Sequence, residues 1–436
     1  MGSVEQRMKT ALPRMIAIRQ IWPRSTELDF SSLLEGEITR AGIREQIRPG
    51  MRIAVGVGSR GIANLKEIVK AAIDALIRAG ARPFIVPAMG SHGGATPEGQ
   101  IQILAEFGIT AESMGVPIEA GMEVRKIGTV SGLIEKDELD VVFSAAALDA
   151  DAVIPVNRIK PHTDFPGPLG SGIQKMLTIG FGKQVGAANA HRTAAHVGHE
   201  AAIRAFSRVI LDAVPVLGAI AVVEDQHHQT ASVEVLRPDE IVSADYRLYE
   251  KSKSLMPHLP LEEIDLLIVD QIGKEISGTG MDTNVVGREL MGYSASLRGD
   301  ESRSPMIHRI FARDLSAATH GNAIGIGLAD FTTTRMVNAM DKRSTYINVL
   351  TSLGLLIAKI PIQFDTDREA IDAALASLAS LHLERLRVVR IKNTLALDHM
   401  QVSESCADAV RELPGVRIEG DAHEMMFDSS DNLLPF

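Results

Sequence analysis

The sequence contains a single cysteine, Cys406, among its 436 residues. One thiol cannot build a disulfide framework, a zinc ribbon or an iron–sulfur site. Any metal that this protein binds must therefore be held by histidine, carboxylate or cofactor ligands.

The sequence also lacks a surplus of basic residues, a long apolar run and a secretory leader. Lys and Arg number 45 against 55 Asp and Glu, which gives a net charge of -10 and argues against nucleic-acid binding. No apolar run approaches the roughly 20 residues that cross a bilayer. The N-terminal stretch MGSVEQRMKTALPRM has no apolar core of the kind that a signal peptide needs. We therefore expect a cytoplasmic protein with no membrane or nucleic-acid partner.

The remaining composition is that of a soluble globular protein, with 45% hydrophobic and 23% charged residues. The chain is too long for one ordinary core. Apolar β-branched runs alternate with stretches of helical periodicity, which predicts βα units and mostly parallel sheets. The predicted strands are residues 52–57, 83–88, 140–143, 152–156, 217–223, 264–269, 322–328 and 386–391, and the predicted helices are 64–79, 97–107, 342–353 and 368–378.

A more polar stretch with prolines, residues 238–259, is the best candidate for a domain boundary. The predicted fold class is accordingly α/β, with two α/β domains and the active site in the cleft between them. The first domain spans residues 1–255, and the second, residues 256–436, closes over the substrate.

Unusual polar residues follow three predicted strands. Ser59-Arg60-Gly61 follows the first strand, His92 lies in Gly90–Gly94 after the second, and Asn157–His162 follows the strand 152–156. In open α/β sheets, ligands bind beyond the carboxyl ends of the strands. Arg60, His92 and His162 would therefore converge on one crevice if these strands are neighbours.

The local sequence leaves the roles of these histidines open. His92 lies among small residues, which would let a substrate or a planar cofactor approach closely. The same glycines could instead form a simple turn with a solvated imidazole, and the two interpretations carry equal weight. Pro161 helps to fix the direction of His162, but Pro-His pairs are common in loops.

The stretch 167–186 is rich in glycine and surrounds Lys175 and Lys183. Such a loop exposes backbone N–H groups that can cradle a phosphate. It lacks the Walker A order of residues, which argues against an ATPase. A mobile surface loop is the alternative, but the apolar content favours a packed loop. The apolar residues are Ile173, Met176, Leu177, Ile179 and Phe181.

Further histidines, His191, His196 and His199, lie on a segment expected to be helical. Their spacings of five and three do not reproduce HExxH, so a zinc site is only weakly indicated. One of them could bind a metal while the others lie on the helix surface. His227 and His228 follow another strand, and a solvated turn is favoured over a place at the border of the site.

Two segments resemble the N-terminal domain of the nickel-dependent lactate racemase family: IVPAMGSHGGATPEGQ and VNRIKPHTDFPGPLGSGIQKMLTIGFGKQVGAANAH. The resemblance covers roughly residues 50–200. It implies two acid/base histidines, a lysine joined covalently to a nickel-pincer nucleotide (nickel pyridinium-3,5-bisthiocarboxylic acid mononucleotide), and a histidine ligand to the nickel.

Carried over by position, the acid/base residues are His92 and His162. Lys175, with Gly172 nearby, falls on the cofactor site, and His191 falls on the nickel ligand. The Lys175-to-His191 spacing, 191 − 175 = 16, fits the family. Arg60 matches the arginine expected to hold the substrate carboxylate.

The sequence departs from lactate racemase itself in two places. The loop between His162 and Lys175 is a few residues longer. In the second domain, the family pattern of Tyr-Gln followed three residues later by Lys has no clear counterpart, since Gln271 and Lys274 keep the Gln-to-Lys spacing but come earlier, directly after the strand. Around GTGMD, alternative substrate-binding groups are offered by Lys274, Asp282, Asn284 and Arg288. We therefore expect a hydroxy acid larger or more polar than lactate.

The resemblance implies an isomerase, a racemase or epimerase of a 2-hydroxy acid that works by hydride transfer. Its expected partners are this small-molecule substrate and the enzymes that make the cofactor, and a homo-oligomer is left open. The alternative enzyme is a metal-dependent lyase or hydrolase of a hydroxy or sugar acid, with His191 and His196 or His199 on a simple divalent ion. A binding protein that kept the fold without the chemistry is a third reading.

Overall fold

A computed structural model describes residues 12–59, 61–134, 138–163, 167–288, 305–352, 354–378 and 382–435. The chain forms two compact units. One comprises Arg24–Met256, and the other combines the segment up to Pro23 with the chain from Pro257 onward. Both units are α/β. In the described ranges, no helix has the length and apolarity needed to cross a bilayer.

The strands are β1 Met15–Gln20, β2 Arg52–Val57, β3 Arg82–Pro87, β4 Val124–Ser131, β5 Glu138–Ser144, β6 Ala152–Arg158, β7 Ala219–Glu224, β8 Thr230–Leu236, β9 Glu263–Ile272, β10 Met306–Leu315, β11 Phe331–Thr333, β12 Ile362–Phe364, β13 Val388–Asn393, β14 Ala396–Ser403 and β15 Val416–His423. The α-helices are α1 Phe30–Arg40, α2 Leu65–Arg78, α3 Pro97–Glu106, α4 Ala111–Met114, α5 Ala145–Leu148, α6 Ile173–Lys175, α7 Lys183–Val197, α8 His199–Ala213, α9 Ile241–Ser254, α10 Thr283–Val286, α11 Thr334–Asn338, α12 Lys342–Ser352, α13 Asp367–Ala376 and α14 Ala407–Arg411. Met176–Gly180 continues α6 as a π-helical turn.

The unit of residues 24–256 is built on a five-stranded sheet in the order β3-β2-β6-β7-β8. The first four strands are parallel, and β8 closes the edge antiparallel to β7. Strands β4 and β5 form a separate antiparallel pair, so the predicted strand at 140–143 lies outside the main sheet.

Strand β2 shows why a parallel sheet forms here. Ile53, Val55 and Val57 pack on one face against the core that includes helix α2, while Ala54 lies in the core on the other face. A strand buried on both faces reads as a continuous apolar run, as the sequence RIAVGV does. Asn64 precedes α2 as predicted, but in a left-handed conformation (φ 56°) and without a side-chain capping bond.

The second unit carries an eight-stranded sheet in the order β12-β11-β10-β9-β13-β14-β1-β15. Strands β12 to β13 are parallel, and β14, β1 and β15 are antiparallel. The predicted first domain, residues 1–255, differs here, because Met15–Gln20 pairs with β14 and β15 of this sheet.

The predicted strand at 322–328 is wrong. The segment forms a turn and a 3-10 helix at Ile326–Leu328. Gly325 has φ 93°, and a Cβ there would lie 1.9 Å from the carbonyl oxygen of Thr279. The apolar run NAIGIGL is buried, and burial alone cannot separate a strand from a packed turn.

A buried ion-pair network fastens the C-terminal segment to this sheet. The fully buried carboxylate of Asp367 accepts from Arg313 Nε (2.7 Å), Arg335 Nη2 (2.7 Å) and the backbone N–H of Leu433 (2.8 Å). Removing one partner from such a network leaves the remaining charged groups buried and unpaired, which destabilises the fold.

We expect Asp367→Ala to lower the free energy of unfolding of this unit by about 3 kcal/mol. Trp22 packs against the core of the same unit, so its fluorescence in a urea titration reports the loss. The matched control is Asp408→Ala, whose carboxylate is 94% exposed in its pair with Arg411 and should change stability by less than about 0.5 kcal/mol. Equal losses in the two variants would contradict the role given to Asp367.

Candidate active site

The exits of three neighbouring parallel strands carry the predicted catalytic residues. Strand β2 lies between β3 and β6, so all three carboxyl ends meet at one edge of the sheet. His92 follows β3 and is exposed, while His162 follows β6 and is half-buried. The condition for the predicted convergence, that the three strands are neighbours, is met. Arg60 lies outside the described residues.

A direct contact joins the first two exits, because Ser59 Oγ lies 2.5 Å from Nδ1 of His92. When the hydroxyl donates, Nε2 carries the ring proton, and when it accepts, Nε2 is the unprotonated nitrogen. The contact therefore fixes the direction of the ring in both tautomers. Nε2 is then the atom suited to exchange a proton with a substrate.

The glycine-rich stretch packs tightly on this edge of the sheet. A Cβ on Gly56 would lie 2.1 Å from Cζ of Phe181, so only glycine leaves room for the ring. Phe181 also stacks on Phe143, with ring centroids 4.8 Å apart. The backbone N–H of Gly90 donates to the carbonyl of Gly180 (3.1 Å). The prediction of a packed loop is confirmed.

Helix α6, at the centre of this stretch, is held by a distant carboxylate. Asp245 on α9 is fully buried and accepts from the backbone N–H groups of Ile173 (2.9 Å) and Gln174 (2.9 Å). Burial raises the pKa of Asp245 to about 6, against the lowering effect of these hydrogen bonds. These two N–H groups already bind a side chain, which argues against the phosphate cradle predicted for this turn.

Gly172, predicted to contact the cofactor, has a packing role at this point. Its carbonyl accepts from Asn157 Nδ2 (2.8 Å), which ties the stretch to β6. A Cβ at Gly172 would lie 2.7 Å from Oδ1 of Asp245. The approach of the carboxylate to α6 thus depends on this glycine.

Lys175 lies beside two histidines. Its Nζ donates to the carbonyl of Gly170 (2.6 Å), and the side chain is half-buried. The rings of His191 and His199 have centroids 6.4 Å apart. Surrounding protein atoms and then the charge of Lys175 lower the pKa of His191, although its side chain is exposed. Burial, followed by the charges of Lys175 and His191, lowers the pKa of His199 to about 3.

The sequence offered His199 only as an alternative metal ligand, beside His191. The residue is 8% exposed, and it begins helix α8 after a break at Gly198 (φ 86°). The spacing that selected His191 applies equally to a second pair, since 199 − 183 = 16 as well. Nζ of Lys183, however, points to the carbonyl of Pro87. Lys175 is the lysine whose charge acts on both imidazoles.

The remaining histidines have different settings. His196 is exposed on α7. His227 and His228 lie on the turn after β7, where His228 is exposed and has φ 55°. The pKa of His228 is lowered, first by its surroundings, and the charges of Lys160 and Arg158 act in the same direction. The turn is therefore close to the exit of β6.

A buried ion pair that the sequence did not reveal supports the loop after Ser59. Arg158 pairs with Glu224, with side chains 16% and 9% exposed. Oε1 of Glu224 also accepts from the backbone N–H of Ala63 (2.7 Å), and Arg158 Nη1 donates to the carbonyl of Gly61 (3.1 Å). The exits of β2, β6 and β7 are joined by these contacts.

In the other unit, the predicted substrate-binding residues have these contacts. The exposed Lys274 donates from Nζ to Asn348 Oδ1 (2.9 Å). Asp282 precedes α10, and its Oδ1 accepts from the N–H and from Nδ2 of Asn284 (both 2.9 Å).

Arg288 in the same unit is only 5% exposed. Its Nη2 donates to Asp330 Oδ2 (2.6 Å), and its Nη1 donates to the carbonyl of Leu328 (2.7 Å). These bonds fit a structural role better than contact with a substrate.

One unpredicted cluster could in principle hold a metal ion. Among the described residues, Glu263, Asp265 and His308 bring ligand atoms within 4.8 Å of one another. Arg387 already pairs with both carboxylates, at 2.6 Å from Glu263 and 3.0 Å from Asp265. A cation would have to compete with this guanidinium.

The similarity of this chain to known proteins is one of fold. No family model matches the sequence, and no curated protein matches it. Among solved structures, the lactate racemase apoprotein from Thermoanaerobacterium thermosaccharolyticum is similar at 13% identity and a TM-score of 0.48. The match covers 87% of this chain and 99% of that protein. A likeness at this level concerns the course of the chain and identifies no residue of the site.

Lys183 is the other buried ionisable group of the glycine-rich stretch. It has no exposed surface, and its Nζ donates to the carbonyl of Pro87 (2.6 Å) and to Gln100 Oε1 (3.1 Å). Both partners are uncharged oxygens. Burial lowers the pKa of Lys183 from 10.5 to about 8.

Between pH 8 and 10.5 the unfolded chain therefore keeps a proton that the folded protein has lost, so this group makes stability rise with pH. We expect the unfolding free energy of the wild type to rise, relative to Lys183→Met, by roughly 1 kcal/mol per pH unit in this window. Urea titrations at pH 8.5 and 9.5 measure the difference. Parallel pH dependences of the two proteins would contradict the lowered pKa.

Proposed function

We propose that the protein is an isomerase that racemises or epimerises a 2-hydroxy acid. The observation that carries the proposal is the contact of the His191 and His199 rings, whose centroids are 6.4 Å apart and whose pKa values the charge of Lys175 lowers. Lys175 lies on a stretch packed against the sheet edge from which the loops with His92 and His162 emerge. The motif resemblance to the lactate racemase family supports the same assignment of these residues.

The donor set fits a nickel-pincer nucleotide. Lys175 supplies a half-buried primary amine for covalent attachment, and the lowered pKa of His191 favours the neutral imidazole that binds metals. Lys175 and His191 would hold the group, with His199 beside them. When bound, the cofactor supplies a pyridinium ring that accepts a hydride and returns it.

The protein side chains would manage the protons. The hydrogen on the α-carbon of a hydroxy acid is barely acidic next to a carboxylate, so its loss as hydride avoids a carbanion. One histidine would take the proton of the substrate hydroxyl. The second histidine, on the opposite face of the carbon, would return a proton to that oxygen. Imidazoles suit both roles because their ordinary pKa is near 6.5.

The two acid/base groups would be His92 and His162. They lie at the exits of β3 and β6, the two strands that flank β2, which suits groups that act on opposite faces of one substrate. Ser59 would orient the ring of His92 through Nδ1. Arg60 is proposed to hold the substrate carboxylate by two hydrogen bonds.

The substrate is proposed to be larger or more polar than lactate. The exposed side chains of Lys274 and Asn284 offer a cation and an amide for additional oxygen atoms. The proposal includes a cytoplasmic location and a requirement for the enzymes that make the cofactor.

Replacing either acid/base histidine should abolish most of the turnover. We expect His92→Asn and His162→Asn to lower kcat by roughly 10²–10⁴-fold. The measurement is loss of optical rotation, or chiral chromatography, on short, aromatic, dicarboxylic and sugar 2-hydroxy acids, with protein co-produced with the cofactor-making enzymes. The control is His196→Asn, exposed on α7, which should retain turnover.

Failure of the wild-type protein across all four classes of acid, with cofactor shown to be present, would contradict the isomerase proposal. Full turnover in His92→Asn would contradict the acid/base role of His92 but not the isomerase proposal.

The alternative is a lyase or hydrolase of a hydroxy or sugar acid with a simple divalent metal. The pair of imidazoles, with ring centroids 6.4 Å apart, favours it, because each ring could supply one nitrogen to a shared ion. This alternative needs no covalent bond at Lys175. Lys175→Ala should then keep its metal and its activity, whereas the pincer proposal predicts loss of both.

A further inference from the structure

Lys183 has a backbone conformation that lysine rarely adopts. Its φ is 54°, in the left-handed region, at the first residue of α7. This conformation is unfavourable, and the side chain has no exposed surface, so the residues that contact Lys183 must stabilise it. Its Nζ donates hydrogen bonds to Pro87, the last residue of β3, and to Gln100 on α3.

Gln100 connects Lys183 to the turn that carries His92 by hydrogen bonds. It too has no exposed surface, and its Nε2 donates to the carbonyl of Gly90 (3.0 Å) and to that of His92 (3.3 Å). The donors and acceptors that face the Gln100 amide determine its orientation. The ammonium of Lys183 can only donate, so Oε1 must face it and the NH₂ group must face the two carbonyls.

Close packing between helix α3 and the turn that carries His92 restricts the movement of that turn. A Cβ at Gly99 would lie 2.0 Å from the carbonyl oxygen of Gly93, so helix α3 is in contact with the turn itself. Gln100 therefore reaches its two carbonyls from a helix already pressed against the same loop.

We propose that Lys183 and Gln100 are positioning residues that hold the backbone of the His92 turn, so that the imidazole meets Ser59. The inference rests on the proposed function only for its catalytic consequence. The hydrogen-bonded connection from Lys183 through Gln100 to the carbonyls of Gly90 and His92 stands on the geometry.

The decisive variant is Gln100→Glu. It keeps the oxygen that accepts from Lys183 and gives that cation a buried partner, but it loses the NH₂ group that holds the turn. Gln102→Glu is the matched control, because Gln102 is exposed two residues further along the same helix. Lys183→Arg, which keeps a cation, and Lys183→Met, which does not, test the other end of the connection.

The first readout is the imidazole of His92 in protein labelled with ¹⁵N-histidine, with its signals assigned by their loss in His92→Asn. Gln100→Glu and Lys183→Met should shift the ring nitrogen signals of His92 and its titration, while Gln102→Glu leaves them unchanged. The second readout is kinetic. Gln100→Glu should lower kcat by at least about 10-fold with KM within about twofold, since the turn acts on the geometry of proton transfer.

Two outcomes would overturn the inference. One is an unchanged His92 spectrum in a folded Gln100→Glu protein, and the other is a spectrum altered equally by Gln102→Glu. If the wild type racemises no hydroxy acid, the proposed function fails while the spectra still decide the positioning claim. If Lys183→Met does not fold, Gln100→Glu with its thermal midpoint measured alongside carries the test.

Discussion

The contact of the Phe181 ring with Gly56 is the constraint on which the candidate site depends. A side chain at position 56 would occupy the place of the ring, which Phe143 covers from another side. This contact fixes the glycine-rich stretch at the carboxyl edge of the sheet. Lys175 precedes Phe181 in the chain, and Lys183 follows it. The two lysines therefore reach different surroundings: Lys175 donates to the carbonyl of Gly170, and Lys183 donates to that of Pro87.

The electrostatics around the glycine-rich stretch depend on burial. Lys183 donates to two uncharged oxygens, and the pKa values of His191 and His199 are lowered, first by burial. The lowered pKa values keep the imidazoles of His191 and His199 neutral near neutral pH. A neutral imidazole binds metals, whereas its protonated form does not. In the interior of the second unit, Asp367 and Arg313 instead form an ion pair.

The part of the site carried by local sequence could be predicted. Apolar runs gave β2, β3 and β6, and the rule that ligands bind beyond carboxyl ends directed attention to His92 and His162. Contacts between distant segments could not be predicted in this way. Asp245 caps α6 from about 70 residues away, and β1 joins the sheet of the other unit. Neither of these contacts produces a periodic pattern in the sequence around the residues that make it.

His199 and Lys183 illustrate the same limit within a single segment. A spacing of 16 residues selects Lys175 with His191 and also Lys183 with His199, so the pattern alone is ambiguous. The break at Gly198 brings His199 back beside His191, and helical periodicity does not anticipate that turn. The backbone at Lys183, in the left-handed region, likewise has no marker in its residue type.

The central claim is that Lys175 carries a covalently bound nickel cofactor. Its most direct test is the intact mass and metal content of protein co-produced with the cofactor-making enzymes, followed by mapping of the modified peptide. The account predicts an added mass on the peptide that contains Lys175, about one nickel per chain, and neither in Lys175→Arg. A metal bound without any added mass, or an added mass that persists in Lys175→Arg, would contradict it.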